Sequence, residues 1–284
     1  MSFYDKVEST FYGWCVERLL TTAEHGGCLA GGILEIGSGT AVPVVRALLR
    51  SGSDTRVHGF ERDPGAAATA RRAIGLTPLR NYVVDEGDFF TAVPTAAQRC
   101  VIGNPPYLPA EPGTSCAPDL WGGPRGAEVT QDVLDCGLDL AMLIVSSIAD
   151  PLGVLRFARD RGYSVTDWMV TPIRFGRFCR DAGVRARIGD LAGREQAFFA
   201  PHSYLIAGVT FVRDAGARDQ SAVLGDVLRA AGRASEVADP QPRAGGAVVG
   251  APAGTERVVA GAQAGAAKRA GTAARAGTAQ PVGR

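Results

Sequence analysis

An α/β fold, a mostly parallel sheet with helices on both faces, is predicted by three observations on this 284-residue chain. Short apolar runs alternate with helix-period segments between residues 31 and 214. The runs are rich in Val, Ile and Leu with little polar alternation, as strands covered on both faces require. The first run passes through a glycine turn directly into an amphipathic helix, which makes a βα unit.

The elements follow in order. Residues 1–30 are expected to form an N-terminal helical segment, since Phe11, Tyr12, Trp14, Cys15, Val16, Leu19 and Leu20 make a broad helical-period pattern within 7–24, and Gly26-Gly27 closes it. Seven strands are read over 32–36, 56–61, 82–84, 100–102, 140–147, 164–170 and 203–212. Helices are read over 44–50, 66–74, 129–138 and 151–161. After this 31–214 domain, Val223, Leu224, Val227 and Leu228 mark a short helix within 215–235. From 236 to 284 the chain is Ala, Gly, Pro, Thr and Arg without aromatic rings, too poor in apolar surface to offset chain entropy, and is expected to be a disordered tail.

Composition excludes some functions. A net charge of +1 gives no global sign of a nucleic-acid or acidic partner. Six widely spread cysteines, without a C-x-x-C pair or a nearby His at ligand spacing, fit reduced thiols better than a disulfide framework or a metal site. No stretch reaches a charge-free membrane-spanning length and the first residues lack the pattern of a secretory leader, so a cytoplasmic protein without a membrane partner is expected.

Four motifs carry chemistry. Glu35-Ile36-Gly37-Ser38-Gly39 sits at the first strand-to-helix switch, where Gly37 and Gly39 allow a tight turn and close approach of a ligand. The third glycine of a dinucleotide fingerprint would fall at 42, which is Val, so NAD is a poor fit. Glu35, just before the turn, suits a cationic ligand better than a phosphate. Glu61 ends the second strand, where a carboxylate can accept from both ribose hydroxyls of a nucleoside. Asp88 follows the third strand, placed to accept from an exocyclic amine while Phe89 or Phe90 packs on the base. After the fourth strand comes Asn104-Pro105-Pro106-Tyr107. Two prolines cannot continue a central strand, so this is a stiff loop at its C-terminal end. Alone the loop could be an ordinary proline turn. Behind the upstream motifs it becomes a grip beside a nucleoside-bearing ligand without phosphates.

With these residues in order, the sequence resembles the class I S-adenosylmethionine-dependent methyltransferases, over roughly residues 30–212. The resemblance implies a Rossmann-like fold, S-adenosyl-L-methionine as cofactor, and transfer to a planar amide or amino nitrogen. Within that group the chain looks most like the HemK/PrmC protein-glutamine N5-methyltransferases, through Asp119–Val129 after the proline loop and Tyr4–Phe11 before the first strand. Residue by residue, it implies that Asn104, Pro105 and Tyr107 hold the acceptor nitrogen. It also implies that Thr10, Glu35, Gly37, Gly39, Glu61, Asp88, Phe89 and Asn104 hold the cofactor.

Two departures leave the acceptor open. Only about thirty residues precede the glycine turn, so the helical substrate domain of the bacterial release-factor enzymes has no counterpart, as in the short family members that rely on a partner subunit. The stretch with Arg174, Arg177, Arg180, Arg185, Arg187 and Arg194 has no counterpart either, and reads as a solvated hairpin or a clamp for a carboxylate. A protein glutamine or a small-metabolite nitrogen is the leading acceptor. Adenine-N6 or cytosine-N4 of a nucleic acid is the alternative, supported by those arginines. A non-catalytic cofactor-binding subunit is a third reading.

Overall fold

Apolar strands feeding amphipathic helices can bury both sheet faces only if the helices divide between them, and the computed structural model shows that division. It describes residues 5–113, 117–213 and 218–233, all within one unit spanning Met1–Pro240. The tail expected from residue 236 lies outside the described residues.

The strands are β1 (Ile33–Ile36), β2 (Val57–Glu61), β3 (Tyr82–Glu86), β4 (Cys100–Gly103), β5 (Leu140–Ser146), β6 (Ser164–Arg174), β7 (Phe199–Ala200) and β8 (Ser203–Val212). They form one Rossmann-like sheet in the order β3-β2-β1-β4-β5-β8-β6, with β7 paired to β8. β1 to β5 run parallel, and β8 is inserted antiparallel between β5 and β6. The seven strands read from sequence are all present. The added β7 is two residues long, below what a periodic pattern can reveal.

The helices are α1 (Lys6–Thr21), α2 (Gly26–Leu29), α3 (Val42–Ser51), α4 (Pro64–Gly75), α5 (Phe89–Ala92), α6 (Glu128–Asp135), α7 (Pro151–Asp160), α8 (Ala182–Gly193) and α9 (Ser221–Arg233). Buried residues of α1, α3, α4 and α8 join Ile33, Ile102 and Met142 in one apolar layer. Those of α6, α7 and α9 join Leu34, Val101 and Leu143 in the other. Alternate strand residues thus serve opposite layers, the period-two geometry of a sheet covered on both faces. Among the described residues no helix is long and apolar enough to cross a membrane.

Two sequence expectations need correction. The N-terminal helix ends at Thr21, and Gly26-Gly27 opens the short α2 instead of closing the segment. The arginine-rich stretch is no solvated hairpin: β6 continues to Arg174, a 3-10 turn covers Phe178–Arg180, and α8 follows. Val184, Ile188 and Leu191 are buried on α8. Their i, i+4, i+7 spacing was in the sequence, masked by the arginines on the other positions.

Candidate functional site

Because β1 to β4 are parallel, the segments leaving them meet at one sheet edge, where open α/β sheets bind their ligands. A cleft of about 450 Å³ lies there, walled by the turn after β1, the ends of β2 and β3, and the proline loop after β4. α1 contributes Asp5, Glu8, Ser9 and Tyr12, while Phe178, Cys179 and Tyr204 close the side beyond β6.

The glycine turn is a backbone device. Gly37 and Gly39 both adopt positive φ, 67° and 54°, which a side chain would resist. Glu61 braces it, its two oxygens accepting from the amide nitrogens of Gly39 at 2.8 Å and Asp63 at 3.0 Å. Asp88 caps α5, one oxygen accepting from the Phe90 amide at 2.8 Å. Glu61, Asp88, Gly37 and Gly39 all line the cleft. Each of the two carboxylates keeps acceptor capacity beyond these backbone contacts.

Glu35 and Thr10 are placed differently. Glu35 is buried and does not line the cleft. It accepts from the hydroxyls of Tyr12, at 3.0 Å, and Tyr82. Burial raises its carboxyl above the usual range, against the pull of those two donors. It ties α1 and β3 to the root of the glycine turn. Thr10 is half-buried on α1 and stays off the cleft wall, whereas its neighbours Glu8 and Ser9 reach it. Phe89 is buried in contact with Phe60, and Phe90 also lines the wall.

The proline loop presents a second cluster. Asn104 donates from Nδ2 to Glu8 Oε1 at 2.7 Å, and Tyr107 donates from its hydroxyl to Glu8 Oε2 at 3.0 Å. The Tyr107 hydroxyl also lies 3.0 Å from that of Tyr204. The remaining amide atom, Asn104 Oδ1, is buried without a hydrogen-bond partner among the described residues. An unsatisfied buried acceptor costs about 1–3 kcal/mol, which a bound donor would recover. Burial pushes the Tyr107 and Tyr204 hydroxyls well above their ordinary range, so both stay protonated, and the Cys179 thiol is pushed up to about 11.

Glu8 was missed as a site residue. Asp5 is the N-cap of α1, accepting from the Val7 and Glu8 amides at 2.8 and 3.0 Å, so Asp5-x-x-Glu8 has the form of a capping box. In such a box the Glu turns back to the cap. Here it turns to the proline loop, 96 residues away.

The cleft wall carries six carboxylates and two guanidiniums, Arg62 and Arg174, among the described residues. That balance suits a cationic, nucleoside-like ligand and disfavours a polyphosphate. Arg187, from the arginine-rich stretch, is turned away to the Pro124 carbonyl at 2.7 Å and to Glu111 at 3.2 Å.

No family model matches the chain. It is similar to the tRNA1(Val) (adenine(37)-N6)-methyltransferase of Actinobacillus succinogenes, at 33% identity over 86 residues, covering 27% of this chain and 34% of the relative. The chain thus spans about a third of the curated relative it matches. Among solved structures it is similar to the magnesium protoporphyrin IX methyltransferase of Synechocystis PCC 6803, at 13% identity and a TM-score of 0.44, over 75% of this chain and 86% of that one. It is also similar to the ribosomal protein L11 methylase of Lactobacillus delbrueckii subsp. bulgaricus, at 9% identity and a TM-score of 0.43, over 75% and 82%.

Proposed function

We propose that this protein is an S-adenosylmethionine-dependent methyltransferase acting on a planar amide or amino nitrogen, with a carboxamide such as a protein glutamine side chain as the leading acceptor. One observation carries the reading: Asn104 of the proline loop, whose buried Oδ1 lacks a partner among the described residues, lines the same cleft as the carboxylates at the ends of β2 and β3. The residues present fit the cofactor. Glu61 and Asp88 offer free acceptor positions to ribose hydroxyls and an exocyclic amine, the turn at Gly37 and Gly39 leaves backbone room, and the acidic wall suits a sulfonium.

When bound, S-adenosylmethionine supplies an electrophilic methyl group. The work left to the chain is orientation and charge. An amide nitrogen is a poor nucleophile because its lone pair is delocalised, so the loop must hold it in line and near contact distance. Asn104 Oδ1 and the Pro105 carbonyl accept from the acceptor NH2 and stabilise the positive charge developing on nitrogen. The Tyr107 ring, buried and held by its hydroxyl, forms a fixed apolar wall there and helps to exclude water. The extra proton on the methylated nitrogen is acidic enough to leave to solvent without a dedicated base.

A second acceptor, adenine N6 of an RNA, is favoured by the local identity to the tRNA adenine-N6 methyltransferase. The test uses labelled S-adenosylmethionine with a glutamine-bearing peptide and an adenine-bearing oligoribonucleotide in parallel. Label on the peptide amide supports the leading reading, label on adenine N6 supports the second, and failure of the protein to bind the cofactor removes both.

A further inference from the structure

Glu8 is a carboxyl of the cleft wall that the reading above leaves unused, and its surroundings say what it does. It is almost fully buried on α1, yet among the described residues no basic side chain pairs with it. Its partners are Asn104 Nδ2 and the Tyr107 hydroxyl, both on the proline loop. An ionised carboxylate only accepts, so with Glu8 ionised the Asn104 atom facing it is the amide nitrogen, as the Nδ2–Oε1 contact has it. The carboxamide is thereby locked in one of its two flips, with Oδ1 as the atom left over. We propose that Glu8 is a positioning residue for transfer, holding the Asn104 carboxamide so that its oxygen is available to the acceptor nitrogen. The proposal rests on the methyltransferase reading.

The arrangement depends on ionisation. A protonated Glu8 could donate to Asn104 Oδ1 after a flip and occupy the acceptor. The titratable groups around Glu8 are Asp5 on its own helix, Tyr107 beyond β4, Tyr204 on β8 and Cys179 in the turn before α8. The tyrosines and the thiol remain neutral, and Asp5 adds negative charge. Burial raises the Glu8 carboxyl, opposed by hydrogen bonds from Asn104 and Tyr107. Transfer should therefore lose rate on the acid side as Glu8 takes up its proton. Glutamine at this position can give its carbonyl to Asn104 and its amino group to the Tyr107 oxygen, and it has no proton to gain.

The test pairs a spectroscopic readout with kinetics. In protein with 15N-labelled asparagine, the Asn104 NH2 signal is assigned by its loss in Asn104→Ala and followed from pH 8 downward, in wild type, Glu8→Gln and Glu8→Ala. The signal should move with a single acid titration in wild type, lose that titration in Glu8→Gln, and lose its hydrogen-bonded shift in Glu8→Ala. With the acceptor labelled in the function test, Glu8→Ala should lower kcat by about 100-fold with cofactor affinity unchanged. Glu8→Gln should retain most of the rate and lose the acid limb. An Asn104 signal indifferent to both substitutions, or Glu8→Ala turning over at the wild-type rate with the wild-type pH profile, overturns the proposal. Absence of cofactor binding by the wild type removes the parent reading and the proposal together, whereas normal binding with an indifferent Asn104 signal removes the proposal alone.

Discussion

The two halves of the cleft satisfy their carboxylates in different ways. At the ends of β2 and β3, Glu61 and Asp88 hold backbone amides of the loops they belong to or touch. At the proline loop, Glu8 holds side chains on an element 96 residues away, and it is buried. The first half is built from backbone contacts among neighbouring strand ends of the parallel sheet. The second half exists only because α1 packs on the sheet, close enough at Cys15 that a Cβ on Gly208 of β8 would collide with it. Binding and transfer should therefore be separable by mutation.

The largest separation should come from Asn104→Ala. Removing the acceptor on the nitrogen side should cut transfer by about 10²–10³-fold, while titration calorimetry with S-adenosylmethionine shows little change in affinity. The reverse is expected of Asp88→Ala, where loss of a hydrogen bond to a charged group weakens cofactor binding by about 1.5–3 kcal/mol. Glu61→Ala should weaken binding similarly and also lower the melting temperature, because Gly39 and Asp63 lose their acceptor.

Much of the fold could be read from the chain because its causes are local. Apolar runs at strand length and the Gly37–Gly39 turn specify parallel βα units without knowledge of what packs on them. The convergence of Glu61, Asp88 and Asn104 on one cleft was legible for the same reason: each stands at a strand end, and parallel strands share one edge. Glu35 and Thr10, read as cofactor residues, stand off the cleft wall, and Glu8 went unread, because helix and strand position alone does not say which partner a side chain finds. Glu35 looked like a ligand group and lies under Tyr12 and Tyr82. Glu8 was not singled out in the sequence and reaches Asn104. The apolar stripe of α8 was hidden by the arginines between its buried residues.

The packing that supports the acceptor half can be broken from a distance. Ile188→Ala on α8 leaves a hole in the layer shared with α1 and Tyr204 and should cost about 2–5 kcal/mol in denaturant unfolding, with the buried volume gone and no cleft residue changed. The smallest expected effect belongs to Glu35→Gln. Burial raises the Glu35 carboxyl in the folded chain, so the native state keeps its proton to higher pH than the unfolded chain does. Stability from this group is present below the ordinary carboxyl range and declines as pH rises through the raised native value. Glu35→Gln should flatten that decline in a series of thermal melts across pH.

The central claim is that one cleft binds S-adenosylmethionine through the β2 and β3 ends and presents Asn104 to the acceptor without needing it for binding. Titration calorimetry of S-adenosylmethionine against wild type, Asp88→Ala and Asn104→Ala tests this most directly. The expected result is saturable binding by the wild type, weaker binding by Asp88→Ala, and wild-type affinity in Asn104→Ala. No binding by the wild type, or equal affinity in Asp88→Ala, would contradict it.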